Sequence, residues 1–480
     1  MSRYGGLGQL FGARITQLLV AVVASAAAAR LISSGESRTV LVAGIALVVV
    51  AALMRWPAIT LVALLIVCQE LDPGLAHPGT STGGLAYLGY QVYFRTVGRI
   101  TLLTLVVLLA LGRVLLAARP APPHRLAAIL VLLLGGYVTA LLWADGTSLT
   151  SAINQDALFA VLFGGCFAVG VAAANSEAWA RAAVPALQWV LSAMVIIGFY
   201  LLATGQGQAD TNVIFYDAAT GAIAGAAMLA ALLTPSAERS GRLRWIAAAG
   251  FLIVVLAARR DVWAAVLVAL VLSLMFAQDR MRLMLRLLAA TAVVVLILAL
   301  VLPSALNSIG HQLSAIWGAT QGTAADASVK GHLSDLSIGW KAIKASPFSG
   351  VGPNGHILGL VAGGNGPLYI HNQLFESWLR FGLIGGLLIV AVQVVILVQG
   401  LVVLRRPKLD FTTRWAAILL IMAPVSLLTA PFLTTTQRWP AILGFAAGLL
   451  APVLRARPSP DPDLTGPGDV RADTAPSYAV

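Results

Sequence analysis

The chain has 480 residues, of which 59% are hydrophobic and only 10% charged, and its mean hydropathy is +0.89. That apolar content exceeds what a water-soluble core absorbs, and it falls into serial runs near bilayer length. A soluble globular class is excluded and an all-α polytopic membrane protein is expected. The net charge of +12 does not point to nucleic acid, because Lys and Arg fall mostly in alternate connections between the apolar runs.

In chain order, the apolar runs predict about 14 transmembrane helices (12–14), centred near residues 24, 46, 63, 107, 135, 165, 192, 226, 250, 269, 294, 388, 421 and 446. Arg3 and Arg14, Arg113 to Arg125, Arg239 to Arg244, Arg280 to Arg286 and Arg405 to Lys408 all fall on one side, which the positive-inside rule makes cytoplasmic. Both termini are then inside, and the connections 71–97, 145–156, 204–217 and about 303–372 face outward. Arg14 and the small residues at 24–29 fit a secretory leader and a first membrane anchor alike, and the many spans that follow favour the anchor. Cys68 and Cys166 sit in different apolar runs and are expected to pack rather than to pair.

Four segments follow: an N-terminal transmembrane bundle (1–302), a long extracytoplasmic loop (303–372), C-terminal transmembrane helices (373–454) and a Pro-, Asp- and Gly-rich tail (455–480), expected to be disordered in the cytoplasm. A loop of that length is uncommon without a function. Within it, Leu333, Leu336, Trp340 and Ile343 recur at helical spacing, with Lys330, Asp335, Lys341 and Lys344 mostly elsewhere. An amphipathic helix on the outer surface is predicted, ended by Pro347. Gly350, Gly352 and Gly355 then permit tight turns and close backbone approach.

His371 and Asn372 open the next apolar helix, with Phe375 and Trp378 completing one face. A helix N-terminus disfavours an imidazolium, so a histidine there suits a general base. Its alternative is an interfacial polar residue beside an Asn cap, with Glu376 and Arg380 as an ordinary i,i+4 pair. Arg259, Arg260 and Asp261 occupy a short connection that the charge pattern puts outside, where Arg is disfavoured. They call for an anionic partner, either phosphate held by the guanidinium fork or, in the alternative, Asp261 with an Arg snorkelling to lipid headgroups. Arg95 and Arg99, in the aromatic-rich outer segment GYQVYFRTVGR, extend the positive patch.

The motifs ARRDVW (258–263), PFSGVGPNG (347–355) and HNQLFESWLRFGLIGG (371–386), in this order and with the long loop between the first and the others, resemble the O-antigen ligase and Wzy-type polymerase superfamily. The resemblance implies a GT-C type helical fold in the bacterial inner (plasma) membrane. It also implies an extracytoplasmic, inverting glycosyltransferase that moves a glycan from a polyprenyl-diphosphate carrier to the hydroxyl of a glycan, lipid or cell-wall acceptor, with no cofactor. Carried over by motif, His371 is the catalytic base, Arg260 holds the diphosphate, Arg259 assists, and Gly352, Asn354 and Asn372 are further substrate-binding positions. Many relatives carry a second Arg in the long loop, where this sequence has Lys330-Gly-His332. The resemblance implies that either Lys330 or His332 takes that place, the alternative for His332 being to cap or pack the amphipathic helix.

Two other classes compete. A flippase-like polysaccharide or lipid transporter would place ionisable groups near helix centres or in broken helices, and a non-catalytic assembly factor would not need His371. A metal-dependent variant would use Glu70 and Asp72, at the outer end of a helix, but the His spacings fit no standard zinc pattern and the arginines already neutralise a diphosphate, so no metal is expected.

Overall fold

The structure, a computed structural model, describes residues 56–69, 106–112, 129, 133–136, 157–203, 216–235, 238, 240–257, 259–276, 280–301, 310, 314, 327–352, 370–406, 408–429, 433 and 438–455. Its longer helices are α1 (Pro57–Val67), α2 (Ala157–Ala174), α3 (Glu177–Ala203), α4 (Ala218–Leu233), α5 (Gly241–Ala257), α6 (Arg260–Phe276), α7 (Arg280–Val301), α8 (Ala327–Ala345), α9 (Gln373–Leu404), α10 (Phe411–Leu427) and α11 (Arg438–Arg455). No strand occurs among the described residues. Every expected span from residue 63 onward coincides with helix, those near 107 and 135 as short described pieces, while those near 24 and 46 lie outside the described residues. Among the described residues two helices, Glu177–Tyr200 and Gln373–Leu404, are long and apolar enough to cross a membrane. Exposed apolar side chains on α6, α7 and α9, such as Leu267, Met281, Leu300 and Ile384, give these helices surfaces suited to hydrocarbon.

Small residues set the packing. In α4, AATGAIAGAAMLAALL, every position from Ala218 to Ala231 is buried. Gly444 and Gly448 of α11 form a small-xxx-small pair whose added Cβ atoms would strike the carbonyls of Phe163 and Phe167 on α2, and a Cβ at Gly170 would strike the Phe445 carbonyl. Backbones approach this closely in a medium where apolar burial gives helices little mutual attraction and dispersion must serve instead. Cys68 and Cys166 are buried and unlinked, as expected of packing residues.

Cross-links between helix ends establish which ends lie together. Asp217, capping α4, meets Arg259 ahead of α6 (3.4 Å) and Arg438 at the start of α11 (3.2 Å). Asn372, capping α9, donates to the Leu428 carbonyl just past α10, and Gln373 accepts from the Leu433 amide (3.0 and 2.8 Å). The starts of α4, α6, α9 and α11 therefore share one end of the bundle with the finish of α10. At the other end Arg414, early in α10, donates to Thr234 at the finish of α4 and to the Leu409 carbonyl (both 3.0 Å).

The sequence pattern reads 373 onward as one helix, but α9 is broken at Gly382, which has φ 68° and ψ −173°. An unbroken ladder would bond the Leu383 amide to the Leu379 carbonyl. Instead the Leu383 amide donates to the Phe348 carbonyl (3.3 Å), and the Leu379 carbonyl accepts from the Val351 amide (2.7 Å). The turn after Pro347 thus inserts into the gap, helped by Trp378, whose indole donates to the Pro347 carbonyl (2.8 Å). Gly350 has φ 71°, and a Cβ there would lie 2.6 Å from the Leu379 carbonyl; one at Gly382 would strike the Phe348 carbonyl.

A left-handed φ alone costs an L-residue about 1–2 kcal/mol. Gly382→Ala is expected to lower the thermal unfolding midpoint of the detergent-solubilised protein and to open the turn to protease. Gly241→Ala, whose Cβ meets nothing within 4 Å, serves as the control and should change neither.

Candidate active site

The His371 segment is shaped by the loop helix. α8 covers the predicted amphipathic stretch, but Trp340 is 43% exposed whereas Asp335, expected among the polar positions, is 1% exposed. The reason is His371: its Nδ1 lies 3.0 Å from Asp335 Oδ2, with the imidazole partly open to its surroundings. The approach needs Gly339, one turn on from Asp335, where a Cβ would run into Ile370 beside the histidine. Ile343, Ile370 and Leu379 form a small buried cluster under this contact, distinct from the main core, with Leu336, Val351, Phe375 and Trp378 packed against it.

Asn372 caps α9 by accepting from the amides of Leu374 and Phe375 (2.9 and 3.1 Å), which places His371 one residue ahead of the cap. Glu376 and Arg380 make the expected i,i+4 pair, at 3.0 Å, fully inside the protein. Trp340 rests on Phe375 and Trp378, with ring centroids 6.1 Å apart in both cases.

At the start of α6, Arg259 makes two bonds to the Asp261 carboxylate (3.1 and 3.3 Å) besides its contact with Asp217. Asp217 and Asp261 carry two negative charges against two positive charges on Arg259 and Arg438, so these four groups sum to neutral. Arg260, half-buried, adds a further positive charge at the same place. Burial pushes the Asp217 carboxyl up from its ordinary value, while the Arg259 guanidinium pulls it back. The same carboxylate sits at the positive end of α4.

The structure thus brings His371, Asn372, Arg259 and Arg260 to one end of the bundle. Gly352 is buried with φ 82° at the close of the docked turn. Lys330 and His332 stand early in α8, and their side chains lie outside the described residues, as do Arg95, Arg99, Asn354, Glu70 and Asp72 altogether. Among the described residues no group of three or more His, Cys, Asp or Glu is placed to hold a metal ion.

Asp335, Asp217 and Arg438 were not foreseen. Arg438 carried a usable signal, since it starts a helix in a connection expected outside, the same conflict that marks Arg259 and Arg260. Asp217 could be found only as the cap ahead of an Ala- and Gly-rich helix, and Asp335 had no signal apart from its partner.

The described residues form an all-helical architecture with hydrocarbon-suited faces, which is compatible with a membrane protein. A family model described as O-antigen ligase matches residues 245–390, a stretch that runs from α5 past the Gly382 break and contains all three motifs, so the resemblance to the O-antigen ligase and Wzy-type superfamily is established over this segment. The match supports a bacterial membrane protein of polysaccharide biosynthesis that transfers glycan, as ligase or polymerase. No curated protein matches the chain.

Removing one member of a buried ion pair costs about 3–5 kcal/mol. Asp217→Asn is expected to cause a large drop in unfolding midpoint and folded yield. Glu177→Gln breaks only the exposed pair with Arg181, whose side chains are 93% and 79% exposed, and is expected to leave the midpoint unchanged.

Proposed function

We propose that this protein is an inverting, metal-independent GT-C type glycosyltransferase that moves a glycan from a polyprenyl-diphosphate carrier to an acceptor hydroxyl on a glycan, lipid or cell-wall molecule, as a surface-polysaccharide polymerase or ligase. The observation that carries this reading is the gathering of His371 and the Arg259–Arg260 pair at one end of the bundle, within the segment that matches O-antigen ligase.

The acceptor oxygen attacks the anomeric carbon, the bond from that carbon to the diphosphate oxygen breaks, and the acceptor proton passes to His371. Negative charge grows on the departing diphosphate, where a preorganised guanidinium is most effective. Arg260 takes that role and Arg259, with two carboxylates already in hand, assists by holding the α6 start in place. Lys330 or His332 supplies the further cation, Arg95 and Arg99 add to the anion-attracting surface, and Gly352, Asn354 and Asn372 line the substrate path. No metal is required, because guanidinium charge performs the neutralisation.

The site faces the extracytoplasmic side and both termini the cytoplasm. In support, Arg242, Arg244, Arg405, Arg406 and Lys408 belong to connections at the opposite end of the bundle, where the positive-inside rule puts them in the cytoplasm. The division into 1–302, 303–372, 373–454 and 455–480 belongs to the same reading. A transporter is less well supported even though α9 is broken. Broken transporter helices leave backbone groups to coordinate cargo, whereas here the Leu379 carbonyl and Leu383 amide are taken by the 346–351 turn.

The test is transfer by purified protein from a polyprenyl-diphosphate-linked glycan of the host, with and without EDTA. His371→Ala and Arg260→Ala are each expected to keep the wild-type elution profile and lose about 10²–10⁴-fold in rate, and EDTA should leave the wild type active. Folded variants that match wild type, or transfer that stops in EDTA, would refute the mechanism.

A further inference from the structure

The His371–Asp335 contact calls for an explanation beyond packing. Asp335 is 1% exposed, on a helix whose Ser334, Ser337, Lys341 and Lys344 stay outside. A buried carboxylate is costly unless paired, and a mere tie between α8 and the His371 segment could be made by Ser or Asn at less desolvation. What a carboxylate adds is chemical certainty: when ionised it only accepts hydrogen bonds, whereas an amide can turn either face to the ring. At 3.0 Å from Nδ1, it therefore requires the proton on Nδ1 and leaves the ring's lone pair on Nε2.

We propose that Asp335 is the positioning residue of this site, accepting from Nδ1–H of His371 so that Nε2 receives the proton of the acceptor hydroxyl. This rests on the reading of His371 as general base. As the acceptor oxygen bonds to the anomeric carbon, its proton moves to Nε2, the imidazole becomes an imidazolium, and the carboxylate a bond away stabilises that charge without taking a proton itself. A second effect is geometric. The close approach of Gly339 to Ile370 and the Asp335 contact at Nδ1 fix α8 against the His371 segment, so the docking of α8 sets the angle at which Nε2 meets the substrate. The base and its positioning residue thus come from α8 and the His371 segment, 36 residues apart in sequence.

The experiment is steady-state transfer by the full-length protein with Asp335→Asn, His371→Ala and the double variant, together with thermal unfolding. Asn is isosteric, so the unfolding midpoint should stay near wild type while kcat falls by about 10²-fold or more, within the range of general-base effects, and KM for the lipid-linked donor changes by less than about twofold. The decisive reading is the double variant. If Asp335 acts through His371, Asp335→Asn removes nothing further once His371 is alanine. Multiplying losses, a rise in KM alone, or wild-type kcat in Asp335→Asn would each overturn the proposal. Should Asp335→Asn fail to fold, Asp335→Glu keeps the acceptor-only carboxylate and is expected to retain at least about a tenth of wild-type kcat; an inactive, folded Glu variant would also overturn it. Wild-type transfer by His371→Ala overturns the general-base reading itself, an outcome separate from a normal Asp335→Asn beside a dead His371→Ala.

Discussion

Where α9 breaks, two backbone groups that an intact helix would pair with each other are handed to another segment. The Leu379 carbonyl takes the Val351 amide and the Leu383 amide takes the Phe348 carbonyl. In hydrocarbon an unsatisfied backbone group costs several kcal/mol, so the break exists only because the turn fills it, and the turn holds its shape only because the break receives it. Glycines at 350 and 382, both with left-handed φ, are the condition on each side. The exchange ties the end of α8 to the beginning of α9, and it is this tie that lets Asp335 reach His371.

Electrostatics organise the other half of the site. The positive ends of α4, α6 and α11 meet together with three arginines, an arrangement that would repel itself were Asp217 not placed among them. Asp217 bridges Arg259 and Arg438 while Asp261 takes the fork of Arg259. The neutral cluster that results engages Arg259 and Arg438 in structure, with half-buried Arg260 beside it at the start of α6. Arg259 therefore fixes the helix start, and in the proposed mechanism its neighbour Arg260 meets the diphosphate.

Hydropathy located the helices well, because a membrane span is marked by the amount of apolar surface and needs no finer pattern. The Asn372 cap and the Glu376–Arg380 pair were also readable, since both are local rules of spacing. The break at Gly382 was hidden by the ordinary frequency of glycine in membrane helices. Asp335 was hidden for a different reason: a helical wheel sorts residues by polarity, and a carboxylate turned inward toward a histidine looks like one turned out to water. Asp217 and Arg438 belong to a contact between helix starts far apart in the chain, and such contacts leave no periodic trace. What could be read was local, while most of the chemistry is assembled from distant pieces.

The two halves are held with unequal strength. The arginine half is anchored in buried ion pairs on helices that belong to the main core, so it moves only if the bundle does. The histidine half rests on Ile343, Ile370 and Leu379, a cluster of three fully buried side chains on the rim. At about 1.5–3 kcal/mol for each buried aliphatic side chain, that cluster and the exchanged backbone bonds hold α8 with a small fraction of the bundle's stability. Segments so held open before the whole molecule does. Undocking α8 would separate Asp335 from His371 while the arginines stay fixed, so the arginine cluster persists whether or not His371 is held by Asp335. On the proposed mechanism, binding of a donor and orientation of the base are thereby separable, and the second is the more easily lost.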